Sequence, residues 1–241
     1  MELNMNHLAM ILDGNRRWGK ARGIKMSVNF YIQSGLLGLD VAEAAFDRGI
    51  DNLTIWIGSV SNLTKRPALE IMALNKAYKK FFADPKNLEL AHNRRIKVDC
   101  FGRWRDLLEP ATVKVIEQTM ADTAGYADSG KRMTVLIGYD GTEERGAALQ
   151  KVLKNHNGPK DDLITSANLL RQNSWTGHLP DVDLVIRTGV DDDPHNSAGF
   201  LSMLVDNTQY AFLGTLWPDF TPEMLNQILD DFAARERRMG K

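Results

Sequence analysis

Apolar residues in this chain fall into short, dense runs separated by longer segments with helical spacing. The runs are Leu8–Leu12, Asn52–Ile57, Ile96–Phe101, Met133–Ile137 and Val182–Ile186. They are rich in Ile, Val and Leu, as strands buried on both faces of a parallel sheet should be. Helical patterns occupy Gly35–Arg48, Ala68–Phe82, Trp104–Ala124, Gly141–Lys154, Ser166–Asn173 and Thr221–Arg238. Alternation of strand and helix predicts an α/β fold, a central, mostly parallel sheet flanked by helices. Residues 1–241 are read as a single domain. In Ala68–Phe82 the residues Leu69, Met72, Ala73, Ala77 and Phe81 recur at helical spacing, which predicts a core-facing amphipathic helix.

Ligands of such sheets gather at the carboxyl ends of the strands. Asp13, Ser59, Gly138 and Arg187 all stand at or just past a predicted strand end. Four separate segments therefore deliver polar groups to one edge. The first is the most informative. In His7-Leu-Ala-Met-Ile-Leu-Asp13-Gly-Asn-Arg-Arg-Trp18 an apolar run ends in a carboxylate, a glycine turn and a doubly basic helix start. Free N–H groups at a helix start attract phosphate, and an adjacent carboxylate can hold Mg²⁺ against it. The ordinary alternative is that Asp13 is merely an N-cap.

Composition narrows the classes. A hydrophobic content of 43% supports a full core, and a net charge of −1 gives no reason to expect nucleic-acid binding. One cysteine, Cys100, excludes an internal disulfide and fits a cytoplasmic location. No apolar run reaches the roughly 18 residues of a membrane span. Residues 154–162 are polar and turn-rich, a surface loop. His92, His156 and His178 show no ligand spacing with one another.

The Asp13–Trp18 run resembles the signature of the cis-prenyltransferases, the undecaprenyl diphosphate synthase family. Further pieces follow in that family's order: Ser59-Val-Ser-Asn62, Arg66-Pro67, Gly138-Tyr139, Asp183–Gly189, Leu216–Phe220 and Arg235–Gly240. The resemblance implies an enzyme that transfers prenyl groups from an allylic isoprenoid diphosphate, with Mg²⁺ on Asp13. It implies a diphosphate cradle of Gly14, Asn15, Arg16 and Arg17, with Arg66 on the allylic diphosphate. Ser59 and Asn62 would stand beside the reacting centre. Arg187 would meet a second diphosphate, and Arg238 and Gly240 would reach the same site across a homodimer interface. Helix 68–82 would wall an apolar tunnel for the prenyl chain. Peripheral membrane contact is compatible with such a substrate.

The departures from the pattern cluster. Tyr31 and Ile32 replace a Gly-His pair, and Met26 or Val28 replaces a phosphate-gripping Arg. Ser61 replaces an acid and Thr142 an Arg. Asn196 and Ala198, after a three-residue insertion, replace the Arg and Ser that bind the second diphosphate. Gln209 replaces a metal-sharing Glu. Losing one buried Arg–phosphate clamp costs on the order of 2–4 kcal/mol, roughly a hundredfold in affinity. The insertion itself, Val190-Asp-Asp-Asp-Pro-His195, is either a site for a second cation or a solvated turn. His195 reads as a loop histidine. The expectation is thus an allylic diphosphate with an atypical second reactant: head-to-middle coupling, cyclisation or a non-diphosphate acceptor. A regular Z-prenyl synthase using isopentenyl diphosphate and a non-catalytic partner subunit are the alternatives.

Overall fold

The computed structural model describes residues 3–155, 163–190 and 192–235. The expectations for residues 156–162, Asp191, Arg238 and Gly240 lie outside the described residues. Six strands form one all-parallel sheet in the order β3-β4-β2-β1-β5-β6. They are β1 (His7–Ile11), β2 (Asn52–Ser59), β3 (Lys97–Phe101), β4 (Arg132–Tyr139), β5 (Leu184–Arg187) and β6 (Gln209–Phe212). Five match the apolar runs. The sixth is a four-residue, half-buried edge strand, too short and too polar to leave a pattern.

The helices are α1 (Asn15–Ala21), α2 (Val28–Asp47), α3 (Val60–Thr64), α4 (Ala68–Ala83), α5 (Glu89–Arg94), α6 (Trp104–Leu107), α7 (Pro110–Thr123), α8 (Gly141–Asn155), α9 (Leu163–Asn173) and α10 (Pro222–Ala233). Alternate strand residues feed two cores. Leu8, Met10, Ile55, Val98, Val135 and Ile186 belong to the larger one, with residues of α2, α4, α7 and α10. Ala9, Ile11, Trp56, Leu136 and Val185 pack with Leu179, Phe200, Leu201 and Leu204 on the other face.

Several predicted boundaries need correction. The single helix expected over Trp104–Ala124 is two, α6 and α7, because Glu109 precedes Pro110 and is held extended. Helix α2 starts at Val28, where the Ser27 side chain accepts from the Phe30 N–H. Helix α10 ends at Ala233 rather than Arg238. On α4, Leu69 and Met72 are 81% and 46% exposed, so they are not core residues. Ala73 and Ala77 face inward as expected, joined by Leu74, Tyr78 and Phe82. No helix among the described residues is long and apolar enough to cross a membrane.

Candidate active site

At the carboxyl ends of β1, β2 and β5 the sheet opens into a cavity of about 470 Å³. Its mouth is polar: Asp13, Gly14, Asn15, Arg16, Arg17, Ser59, Asn62, Arg66, Arg187 and Ser197 line it. Its interior is apolar and runs between α2, α4 and the sheet, past Leu74, Ala77, Phe81, Leu90, Val98 and Val135. Asp13, Gly14, Asn15, Arg16, Arg17, Ser59, Asn62, Arg66 and Arg187, expected from sequence at the site, all border this one cavity, whereas Gly138 and Gln209 do not.

Asp13 lies two residues beyond β1. Its main-chain oxygen accepts from Thr188 Oγ1 at 2.7 Å and from the Trp217 N–H at 3.0 Å. Segments far apart in sequence therefore fix its backbone. Its carboxylate meets three donors at the cavity mouth. Oδ1 accepts from the Gly14 N–H at 2.6 Å and faces Arg17 Nη2 at 3.3 Å, while Oδ2 accepts from Arg187 Nη2 at 3.0 Å. The N-cap position of α1 is held by Gly14, not Asp13. Gly14 has φ 107°, and a Cβ there would come within 2.8 Å of Leu216. Gly189 has φ 73°, and a Cβ on it would meet Arg17 Nη2 at 2.6 Å. Glycine in Arg-Thr-Gly thus lets the arginine of α1 close on Asp13.

Ser59 and Asn62 are each other's partners. The Ser59 hydroxyl accepts from the Asn62 N–H, and Asn62 Oδ1 accepts from the Ser59 N–H, both at 3.1 Å. This capping box starts α3, a helix the apolar pattern does not show. Ser59 Oγ also lies 2.8 Å from Ser61 Oγ.

Arg66 is 18% exposed and donates to Glu70 Oε1 at 2.8 Å. Tyr31 donates to the same oxygen at 2.8 Å, and Arg16 Nε lies 3.6 Å from Oε2. Burial, and then the bond to Glu70, push the Tyr31 phenol well above its ordinary range, so it stays a hydrogen-bond donor. Glu70 was not foreseen. Its signal was available as the i,i+4 spacing from Arg66, the usual reach of a helical ion pair. Asn15 is anchored between the Leu12 carbonyl, to which it donates, and the Ser34 hydroxyl, from which it accepts.

Arg187 ends β5 and is 5% exposed. Besides Asp13 it donates to the His195 carbonyl at 2.7 Å, and its Nε is buried without a partner. The loop beyond is folded tightly. Asn196 Nδ2 donates to the Phe200 carbonyl at 3.1 Å, while its Oδ1 is buried and unpartnered. Ala198 and Leu201 take left-handed conformations, φ 44° and 47°, that non-glycine residues avoid. Gln209 lies on edge strand β6, where its side-chain oxygen accepts from Arg235, and it does not border the cavity. Ser197, unlike its flanking Asn196 and Ala198, does border it, and sequence reasoning missed it.

Four arginines thus surround two carboxylates at the mouth, an excess of positive charge over an apolar channel. That is the complement of an amphiphile with a polyanionic head. A divalent cation finds one carboxylate, Asp13, on the cradle. No group of three or more His, Cys, Asp or Glu side chains gathers for a metal among the described residues. This suits Mg²⁺, which binds through one or two carboxylates together with substrate phosphates, and not a cation held by protein alone.

Comparison with known proteins agrees. A sequence model of the family described as "Putative undecaprenyl diphosphate synthase" matches residues 11–240. The isoprenyl transferase of Brucella suis biovar 1 (strain 1330) is 31% identical over 236 residues, covering 97% of this chain and 89% of the relative. That of Deinococcus radiodurans is 29% identical, covering 98% and 85%. Lavandulyl diphosphate synthase from Lavandula x intermedia, solved with dimethylallyl diphosphate, superposes with a TM-score of 0.86 at 24% identity over the whole of both chains. A probable undecaprenyl diphosphate synthase from Campylobacter jejuni gives 0.75 at 23%, covering 99% of each. At those identities the two structures speak for the fold. With the family match spanning nearly all of its length, this chain belongs to the undecaprenyl diphosphate synthase family and is a prenyl-transferring enzyme.

Proposed function

We propose that the cavity binds an allylic isoprenoid diphosphate, head in the arginine mouth and tail in the apolar channel, and transfers its prenyl group to isopentenyl diphosphate. The observation that carries this is the join of a cationic strand-end cradle to an apolar channel in one cavity. Relatives named isoprenyl transferase over nearly the full chain favour isopentenyl diphosphate as the acceptor. Arg16, Arg17 and Arg66 would hold the allylic diphosphate, helped by the N–H groups that open α1. Arginine suits this role because its planar fork meets phosphate oxygens in pairs. Ser59 and Asn62, locked to one another by the capping box, would border the reacting carbon. Mg²⁺, carried on the diphosphate and met by Asp13, would neutralise charge on the leaving group. Arg187 would serve the second diphosphate. Arg238 and Gly240 would complete the site in a cytoplasmic homodimer.

A second reading is favoured by one particular loop. Asn196 and Ala198 offer no cation to a second diphosphate, and exposed Asp192 and Asp193 stand nearby. Coupling of two allylic units is the reading that fits this. The lavandulyl diphosphate synthase likeness is compatible with it.

Purified protein with dimethylallyl, geranyl or farnesyl diphosphate, each with and without isopentenyl diphosphate, separates the two by mass spectrometry of the products. Elongated product only with isopentenyl diphosphate is the expected result. Product from an allylic diphosphate alone favours the second reading. No diphosphate release under any condition refutes both.

A further inference from the structure

We propose that Ser197 and His195 form a proton-accepting pair at the cavity mouth, which takes up the proton lost when the product's double bond forms. This rests on the reading above, that an allylic diphosphate ionises in this cavity. Ser197 borders the cavity with Asp13, Ser59 and Arg187. Its Oγ lies 3.3 Å from His195 Nε2. On the other side of the ring, His195 Nδ1 is 2.7 Å from the Asp193 carbonyl oxygen and 3.3 Å from Asp193 Oδ2. A carbonyl oxygen only accepts, so in the neutral ring Nδ1 carries the hydrogen and Nε2 keeps its lone pair. Ser197 therefore donates to His195. A histidine whose far nitrogen is fixed by an acceptor, and whose near nitrogen faces a hydroxyl, has the arrangement of a histidine base with its orienting carboxylate.

The loop is tied to the reacting end of the cavity. The His195 carbonyl accepts from Arg187 Nη1 at 2.7 Å, and Arg187 Nη2 reaches Asp13 at 3.0 Å. Asn196 fastens the loop from the other side, through its bond to the Phe200 carbonyl. The left-handed turn at Ala198 follows directly after Ser197. The acidic insertion has thus placed an imidazole two residues from a serine that faces substrate.

The chemistry balances as follows. The allylic C–O bond breaks and its electron pair leaves with the diphosphate. The acceptor's double bond supplies the pair for the new C–C bond, which leaves a cation on the acceptor. A neighbouring C–H bond then breaks, and its pair becomes the new double bond. The proton goes to Ser197 Oγ as the serine's own proton moves to His195 Nε2. The resulting imidazolium faces the Asp193 carboxylate. Ser197 is the group that touches substrate, and His195 and Asp193 are positioning residues behind it.

The test uses whichever substrate combination gives most wild-type product in the assay above, with condensed product and free diphosphate measured separately. A positioned acid–base group contributes about 10²–10⁴ in rate. His195→Ala and Ser197→Ala should each lower kcat for condensed product by at least about tenfold. KM for the diphosphates should stay within about twofold. Water should capture more of the condensed cation, raising the share of a hydroxylated condensed product. Added imidazole should restore turnover of His195→Ala. Asp193→Asn should lose less, because the backbone carbonyl still sets the tautomer. Unchanged kcat in both alanine variants overturns the pair and leaves the departing diphosphate as the base. A rise in KM with no imidazole rescue also overturns it, since the loop then only shapes the site. A wild type that releases no diphosphate refutes the reading of the cavity and the pair with it. Wild-type turnover matched by both variants refutes the pair alone.

Discussion

The two sides of the cavity mouth are built differently. On the side of β1 and β2, functional groups sit on strand ends and helix starts whose backbones are fixed. Asp13 is held through its main chain by Thr188 and Trp217, and Ser59 and Asn62 cap one another. On the β5 side, the groups sit on a loop with an insertion, left-handed residues at 198 and 201, and a buried, unpartnered amide oxygen on Asn196. On the first side Arg16, Arg17 and Arg66 line the mouth, whereas on the second Arg187 is followed by Asn196, Ser197 and Ala198, which carry no charge. Groups carried by the sheet are costly to move, because every neighbouring strand shares their register. A loop can exchange arginine for asparagine, gain residues and leave the sheet untouched. A change of second reactant is therefore easier to reach than a change of first.

The largest effect is expected at Asp13. Asp13→Ala should cut diphosphate release by at least about a thousandfold, because it removes the carboxylate that would meet Mg²⁺ at the leaving group. The fold should survive with some loss of stability, since the main chain of Asp13 keeps its bonds to Thr188 and Trp217 while Arg187 loses a carboxylate partner. Circular dichroism and thermal melting beside the activity assay would check both halves. Near wild-type turnover would remove Asp13 from the mechanism.

Arg66→Ala should act next most strongly. It removes a half-buried cation and leaves Glu70 facing the diphosphate. We expect KM for the allylic substrate to rise by about 10–100-fold, the cost of breaking a buried charge pair. The KM for isopentenyl diphosphate should move little. Equal effects on both would show that the two sides of the mouth are not separate sites.

A gain of function sharpens the other side. Asn196→Arg with Ala198→Ser restores a clamp and a donor, and should lower KM for isopentenyl diphosphate by roughly tenfold. Nearby Asp192 and Asp193 oppose a second diphosphate, so recovery should be partial. No change would place the acceptor's diphosphate elsewhere.

The smallest effect concerns the sheet beneath the cradle. His7 on β1 is fully buried; its Nδ1 donates to the Pro180 carbonyl, and its Nε2 shares a hydrogen bond with the Thr54 hydroxyl. Burial lowers its pKa below the ordinary 6.5. A depressed histidine pKa means the unfolded chain binds the proton more readily. Stability is complete above about pH 6.5 and falls as pH drops toward the folded-state value. Thermal melting between pH 7.5 and 5.5 should show this loss, and His7→Asn should flatten it. His178, also lowered by burial, contributes in the same direction and leaves a residual slope.

Much of the first side was legible in the sequence. An apolar run ending in Asp-Gly-Asn-Arg-Arg announces a strand, a turn and a helix start, because each has its own local chemistry. The five longer strands were legible for the same reason. Strand β6 was not, since an edge strand of four half-buried residues needs no apolar run. Glu70 was missed because a helical acid usually faces solvent, whereas here Tyr31 and two arginines draw it inward. Ser197 was missed because the insertion hid which of three adjacent residues turns toward the cavity. Leu69 and Met72 misled because the first turns of α4 lie exposed, while Ala73 and Ala77 of the same pattern are buried as expected.

Three arginines serve the proposed allylic diphosphate, while Asn196 and Ala198 add no cation to Arg187 for the acceptor's, so the two substrates should differ in affinity. Equilibrium binding measures this without turnover, using a non-reacting thio analogue of geranyl diphosphate and, separately, isopentenyl diphosphate, each with Mg²⁺. Titration calorimetry should find the allylic analogue bound at least about tenfold more tightly, a gap of about 1.4 kcal/mol. The gap should narrow in the Asn196→Arg, Ala198→Ser protein. Equal affinities in the wild type, unmoved by the double substitution, would contradict it.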